Sequence, residues 1–236
     1  MTILKVVEEI LWSEKRLTVI PLKFSVAKIK WTANRCTRIE DYVNLAFNTF
    51  SPFPFSIRPL QVKEEIIELL KILARRKPKL ILEVGTARGG TLFLFARVSS
   101  PDAVIISIDL PSGYHELNVP LYKSFAIYNQ KINLIRENSH DFSTLKIVKK
   151  ILEGRKLEFL FIDGDHTYEG VKKDFKIYGS LVKEGGLVAF HDIVAHPPEA
   201  GCKVNMFWNE ITYAYKCVEV VKDRGQKWAG IGIIYM

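Results

Sequence analysis

Residues 80–90 read LILEVGTARGG, and the fold is decided there. Leu80–Val84 is an apolar run of strand length, Gly85 opens a glycine-bearing turn, and a helical pattern follows Gly89 and Gly90. Outward from this unit the same grammar repeats. Short apolar runs recur as AVIISIDL (103–110), INLIREN (132–138), LEFLFID (157–163) and GLVAFHDI (186–193). These runs carry apolar residues on both faces, as parallel strands covered by helices do. Helical spacing separates them. In Thr167–Val182 the residues Tyr168, Val171, Phe175, Tyr178 and Leu181 recur every three or four positions. Before the first strand, Gln61–Arg76 aligns Val62, Ile66, Leu69, Leu70 and Leu73, and Pro78 ends it. Alternation of this kind predicts a doubly wound, Rossmann-like α/β sheet.

The chain's end breaks the alternation. A helix is expected over Val204–Tyr215, then strands in CVEVVKD (217–223) and WAGIGIIYM (228–236) about a turn at Arg224-Gly225. So close a pair is an antiparallel hairpin, and it brings the sheet to seven strands with the last one antiparallel.

Residues 1–57 stand apart from these units. They begin with an amphipathic helical pattern over 3–15 and hold Trp12, Trp31, Phe47, Phe50, Phe53 and Phe55. Three prolines in SPFPFSIRP (51–59) mark a boundary. The expected division is an N-terminal helical and aromatic extension, 1–57, serving as a lid or homodimer contact, and a ligand-binding domain, 58–236.

Composition narrows the classes. The 236 residues are 48 % apolar and 25 % charged, an ordinary globular mixture. The net charge of +8 divides evenly, +4 in 1–60 and +4 in 61–236, with no block of like charges. A nucleic-acid partner is therefore not expected, since the aromatic–basic interleaving of a stacking platform is also missing. No apolar run is long enough to span a bilayer. The amphipathic start is not a signal peptide. Three scattered cysteines, Cys36, Cys202 and Cys217, with no CxxC, argue against a disulfide framework or a cysteine zinc site and for a reducing, cytoplasmic setting.

The chemistry gathers at strand ends. The turn after Leu80–Val84 lacks the second glycine of a dinucleotide fingerprint, since Ala87 holds that place, and it lacks the Lys of a phosphate loop. It suits a ligand that approaches the backbone without a pyrophosphate, or simply a tight turn. Asp109 closes the second strand, where a carboxylate accepts both hydroxyls of a ribose. Glu137-Asn138-Ser139-His140-Asp141 ends the third. In FIDGDHTYEG (161–170) Asp163 sits at the mouth of a buried strand, where an unpaired carboxylate is costly. Asp165 there is a natural cap for the following helix.

EVGTARGG, IDL ending at Asp109, FIDGDHTYEGVKKDF and GGLVAFHDI together resemble the class I S-adenosylmethionine-dependent methyltransferases. Within them they resemble the small-molecule O-methyltransferase group of macrocin and cephalosporin-hydroxylase-like sequences (methyltransferase family 24 type), over residues 58–236. The resemblance implies that Glu83, Gly85, Thr86, Gly89 and Gly90 hold the cofactor's methionine part. It also implies that Asp109 takes the ribose, that Asn138 or Ser139 lies by the adenine, and that Asp163 borders the cofactor. More distantly the region resembles catechol-type enzymes. That likeness implies a divalent ion such as Mg²⁺ on Asp163 and Asp192, although Ile193 stands where those enzymes have Asn. Transfer to a hydroxyl of a sugar, polyketide or phenol needs that ion or a base, and His191 and His166 are the candidates. Two alternatives remain at this stage. One is a nucleic-acid methyltransferase. The other is an iron-dependent hydroxylase using His166, His191 and Asp192 as a facial triad.

Overall fold

A computed structural model describes residues 19–48 and 55–236. The helix expected over 3–15, with Trp12, Phe50 and Phe53, lies outside the described residues. The described part begins with helix α1 (19–33) and α2 (Ile39–Asn48), then α3 (Lys63–Arg76). From there strand and helix alternate: β1 (Leu80–Val84), α4 (Gly90–Val98), β2 (Val104–Asp109), α5 (Val119–Lys123), β3 (Lys131–Arg136), α6 (Phe142–Leu152). The second half continues with β4 (Leu157–Ile162), α7 (Tyr168–Gly179), β5 (Val182–His191), α8 (Val204–Ile211), β6 (Lys216–Val220) and β7 (Ile231–Tyr235).

The seven strands form one sheet in the order β3-β2-β1-β4-β5-β7-β6. β1 to β5 are parallel and β7 runs antiparallel to both its neighbours. Period-two alternation sends side chains to two cores. Ile81, Ile105, Phe159, Phe161, Ala189 and Ile233 face the layer of α3 and α4. Leu82, Val84, Ile106, Leu160, Ile162, Val188 and Phe190 face the layer of α6, α7 and α8. Fully burying one such side chain contributes roughly 1.5–3 kcal/mol, so this sheet is a rigid platform for whatever its loops carry.

Three local readings are refined. The helix after β4 starts at Tyr168, and its N-cap is Thr167, whose hydroxyl accepts from Gly170 N–H at 3.0 Å. Asp165 instead accepts from the Thr167 backbone N–H (2.9 Å) and hydroxyl (2.8 Å), positioning the capping residue. The β6–β7 connection covers 221–230 rather than a two-residue turn. Buried Glu65 of α3 pins it, accepting from Lys222 N–H, the Gln226 amide and Gly230 N–H. The segment before 58 is not detached, since Val43, Leu45 and Ala46 of α2, together with Phe55 and Ile57, share one core with α3 and α4.

Candidate active site

β1 has β2 on one side and β4 on the other, so the chain's direction of winding reverses between β1 and β4. A crevice forms above such a switch point. Here it is lined tightly. Asp163 N–H donates to Val84 C=O at 2.8 Å, and Gly85 adopts φ +99° directly against the Asp163 carbonyl. A Cβ on Gly85 would stand 2.1 Å from that oxygen, so only glycine fits.

A cavity of about 230 Å³ opens beside this contact, lined by Gly85, Asp109, Asn138, Ser139, His140 and Gly164 among others. It joins the ends of β1, β2, β3 and β4, as the sequence anticipated for Gly85, Asp109, Asn138 and Ser139. Asp109 Oδ2 accepts from Ala87 N–H and Oδ1 from Leu110 N–H, both at 2.7 Å. Burial raises its pKa above the ordinary carboxylate value, and these backbone donors oppose that shift. A smaller cavity of about 20 Å³ continues past Gly85 to Thr86, Gly90, Gln61 and Asp163.

Three of the expected contacts are packed as follows. Glu83 is fully buried and lines neither cavity. Its carboxyl accepts from the hydroxyls of Thr91 and of Ser107, the latter at 2.6 Å, and burial pushes its pKa up to about 8. It braces the turn from below. Thr86 is likewise buried, its hydroxyl bonded to that of Ser107 at 2.6 Å. Gly89, at φ +71°, makes room for the Tyr122 ring, which a Cβ would meet at 2.7 Å.

The ends of β4 and β5 bring charged groups together. Asp163 Oδ1 faces His191 Nδ1 at 3.1 Å and His166 Nε2 at 3.8 Å. Asp192, at φ +63°, faces His166 Nδ1 with Oδ2 (2.8 Å) and both His191 Nδ1 (3.3 Å) and His196 Nε2 (3.2 Å) with Oδ1. His191 is buried, and its Nε2 has no hydrogen-bond partner among the described residues. Burial pulls the His191 pKa down, but the charges and hydrogen bonds of Asp163 and Asp192 outweigh it and lift the ring to about 10. His166 is lifted to about 11 by its hydrogen bonds to Asp192 and Cys202. Burial pushes the Asp192 carboxyl up, yet the two imidazoles hold it far below the usual range. Both shifts run upward from the ordinary histidine value and favour the charged rings beside the two carboxylates.

Asp163, His191 and Asp192 bring their ligand atoms within 4.8 Å of one another, a group that could hold a metal ion. His191 Nδ1 lies within 3.3 Å of both acids, and the other side chains facing Asp192 are the imidazoles of His166 and His196. Ile193 is a buried apolar side chain.

One contributor escaped the sequence reading. Gln61, just before α3, is buried and donates its amide N–H to Asp163 Oδ2 at 2.6 Å. Its partner is 102 residues away, and no local pattern marks it.

A family model described as a methyltransferase domain matches residues 82–193. An uncharacterised protein of Acanthamoeba polyphaga mimivirus is 29 % identical over 137 residues, which span 57 % of this chain and 61 % of that one. The chain thus covers less than two thirds of that relative. The O-methyltransferase TomG of Streptomyces achromogenes, involved in tomaymycin synthesis and solved with S-adenosylmethionine, superposes at a TM-score of 0.59. It is 17 % identical, covering 85 % of this chain and 90 % of TomG. An O-methyltransferase of Bacillus cereus solved with S-adenosylhomocysteine gives 0.56 at 14 % identity, covering 90 % and 91 %. These two likenesses establish the fold.

Proposed function

We propose that the chain, which a methyltransferase-domain model matches over residues 82–193, moves the methyl group of S-adenosylmethionine to the hydroxyl oxygen of a small acceptor. The observation that carries this reading is the cavity at the β1/β4 switch point, with Gly85, Asp109, Asn138 and Ser139 on its wall and the acid–histidine cluster beside it. In this reading Asp109 accepts the ribose hydroxyls, Asn138, Ser139 and His140 border the adenine, and the methionine part runs past Gly85 toward Gly90, Gln61 and Asp163.

Methyl transfer needs alignment of oxygen, carbon and sulfur and removal of one proton. We assign proton removal to His191. Asp163, itself fixed by Gln61, holds Nδ1, so the unpartnered Nε2 is the atom left to take the acceptor's proton. A ring with a pKa of about 10 is a strong base but holds a proton at neutral pH, so its working form grows with alkalinity. His166 supports the cluster through Asp192. A second cavity of about 220 Å³ beyond the end of β5, walled by Ile193, Val194, Asn205, Trp208 and Glu219, is the acceptor site we favour. Residues 58–236 serve as the cofactor-binding domain in this scheme. The exposed Ile20, Phe24 and Trp31 of α1 support a lid or self-association role for the 1–57 extension to which they belong.

The test is S-adenosylhomocysteine release from labelled cofactor in the presence of sugar, phenol and polyketide hydroxyl acceptors, with an RNA arm. Transfer to at least one small acceptor is expected. Transfer to RNA alone would overturn the acceptor class.

A further inference from the structure

We propose that His166, Asp192 and Cys202 form a binding site for one borderline divalent ion of the Zn²⁺ type. The ligand atoms of His166, Asp192 and Cys202 lie within 4.8 Å of one another. Metal–ligand distances are about 2.0–2.3 Å, so three donors that close converge on one ion with small side-chain adjustments. Nitrogen, oxygen and sulfur together are the ligands Zn²⁺ takes, usually four in a tetrahedron.

His166 Nδ1 lies 2.8 Å from Asp192 Oδ2, and its Nε2 lies 3.8 Å from Asp163 Oδ1. His196 stands beside the site, with Nδ1 2.8 Å from the Val194 carbonyl oxygen and Nε2 3.2 Å from Asp192 Oδ1. Ala229 N–H donates to Asp192 Oδ1 at 3.1 Å and holds that ligand in place.

The backbone is already joined at this point, since Lys203 N–H donates to the His166 carbonyl at 2.8 Å. An ion bound through Cys202, whose thiol gives up its proton, would clamp the 195–208 loop to the ends of β4 and β5. That the clamp shapes an acceptor site rests on the methyl-transfer reading; the ion site itself does not.

Co²⁺ is the probe, titrated into the full chain under a reductant, with S-adenosylhomocysteine binding measured on the same samples. One equivalent should bind and produce a thiolate-to-cobalt absorption in the near ultraviolet, displaced by Zn²⁺ and not by millimolar Mg²⁺. Cys202→Ser should abolish the band, while Cys36→Ser and Cys217→Ser keep it. Cys202→Ser and His166→Ala should each weaken Zn²⁺ binding by more than the ~10–100-fold typical of an outer-shell change. Absence of the band, its survival in Cys202→Ser, or displacement by Mg²⁺ would overturn the proposal. If the nucleoside ligand binds and no band forms, only this inference falls. If the band forms as expected and the nucleoside ligand does not bind, the site stands and the methyl-transfer reading falls.

Discussion

The two halves of the sheet's upper edge are built on different principles. Over β1 to β3 three polar side chains have fixed partners: Glu83 is held by two hydroxyls, Asp109 by two backbone N–H groups, and Asn138 Oδ1 by His140 N–H. Over β4 and β5 two carboxylates are shared among three imidazoles, and their protonation states depend on one another. The first half is a set of fixed polar groups, the mould for the cofactor in the proposed reading. The second is a charge-balanced cluster that an acceptor, a proton or an ion can rearrange.

Substitutions should separate the halves. His191→Ala should lower turnover by roughly 10²–10⁴-fold, the range of general-base catalysis, with S-adenosylhomocysteine affinity unchanged by calorimetry. A matching loss of affinity would place His191 in the mould instead. Gly85→Ala forces a Cβ against the Asp163 carbonyl at φ +99°. It should cost roughly 3 kcal/mol in urea unfolding and remove cofactor binding. Asp109→Ala should weaken cofactor binding by about 1–3 kcal/mol, through loss of hydrogen bonds to a charged group, while leaving the pH profile unaltered.

The pH dependence follows from the raised histidines. Their protonated forms persist to about 10 and 11, so turnover should climb from pH 7 toward 10. Folding stability runs the other way. Because the folded values lie above the ordinary 6.5, the histidine contribution is complete below pH 6.5 and is lost as pH rises through 10 to 11. Thermal melts of wild type and His191→Ala across that window should therefore converge at high pH. The smallest effect expected is at Glu83. Its pKa rises from the ordinary 4.5 to about 8 on folding, so the wild type loses stability as pH climbs through that window. Glu83→Gln should match wild type to within about 1 kcal/mol at about pH 4, where the carboxyl is protonated in both states, and should be the more stable protein in urea unfolding by pH 8.

The same contrast explains what the sequence made legible. β1 through β5 announce themselves as apolar runs, and the glycine turn and Asp109 occupy fixed places at their ends, so the mould follows from local pattern. Glu83 misleads because a carboxylate beside a glycine turn reads alike whether it faces a ligand or two buried hydroxyls. Gln61 could not be read at all, since its partner Asp163 lies beyond four intervening strands. The convergence of Asp163 and Asp192 was visible from strand adjacency. That His196 and Cys202 fold back onto Asp192 depends on the path of the 195–203 loop, which has no periodicity to betray it.

Calorimetric titration with S-adenosylhomocysteine, using NAD as the control ligand, tests the central claim most directly. Single-site micromolar binding of the first, and none of the second, is the predicted result. Absence of binding at millimolar ligand, from protein shown by its melt to be folded, would contradict the account.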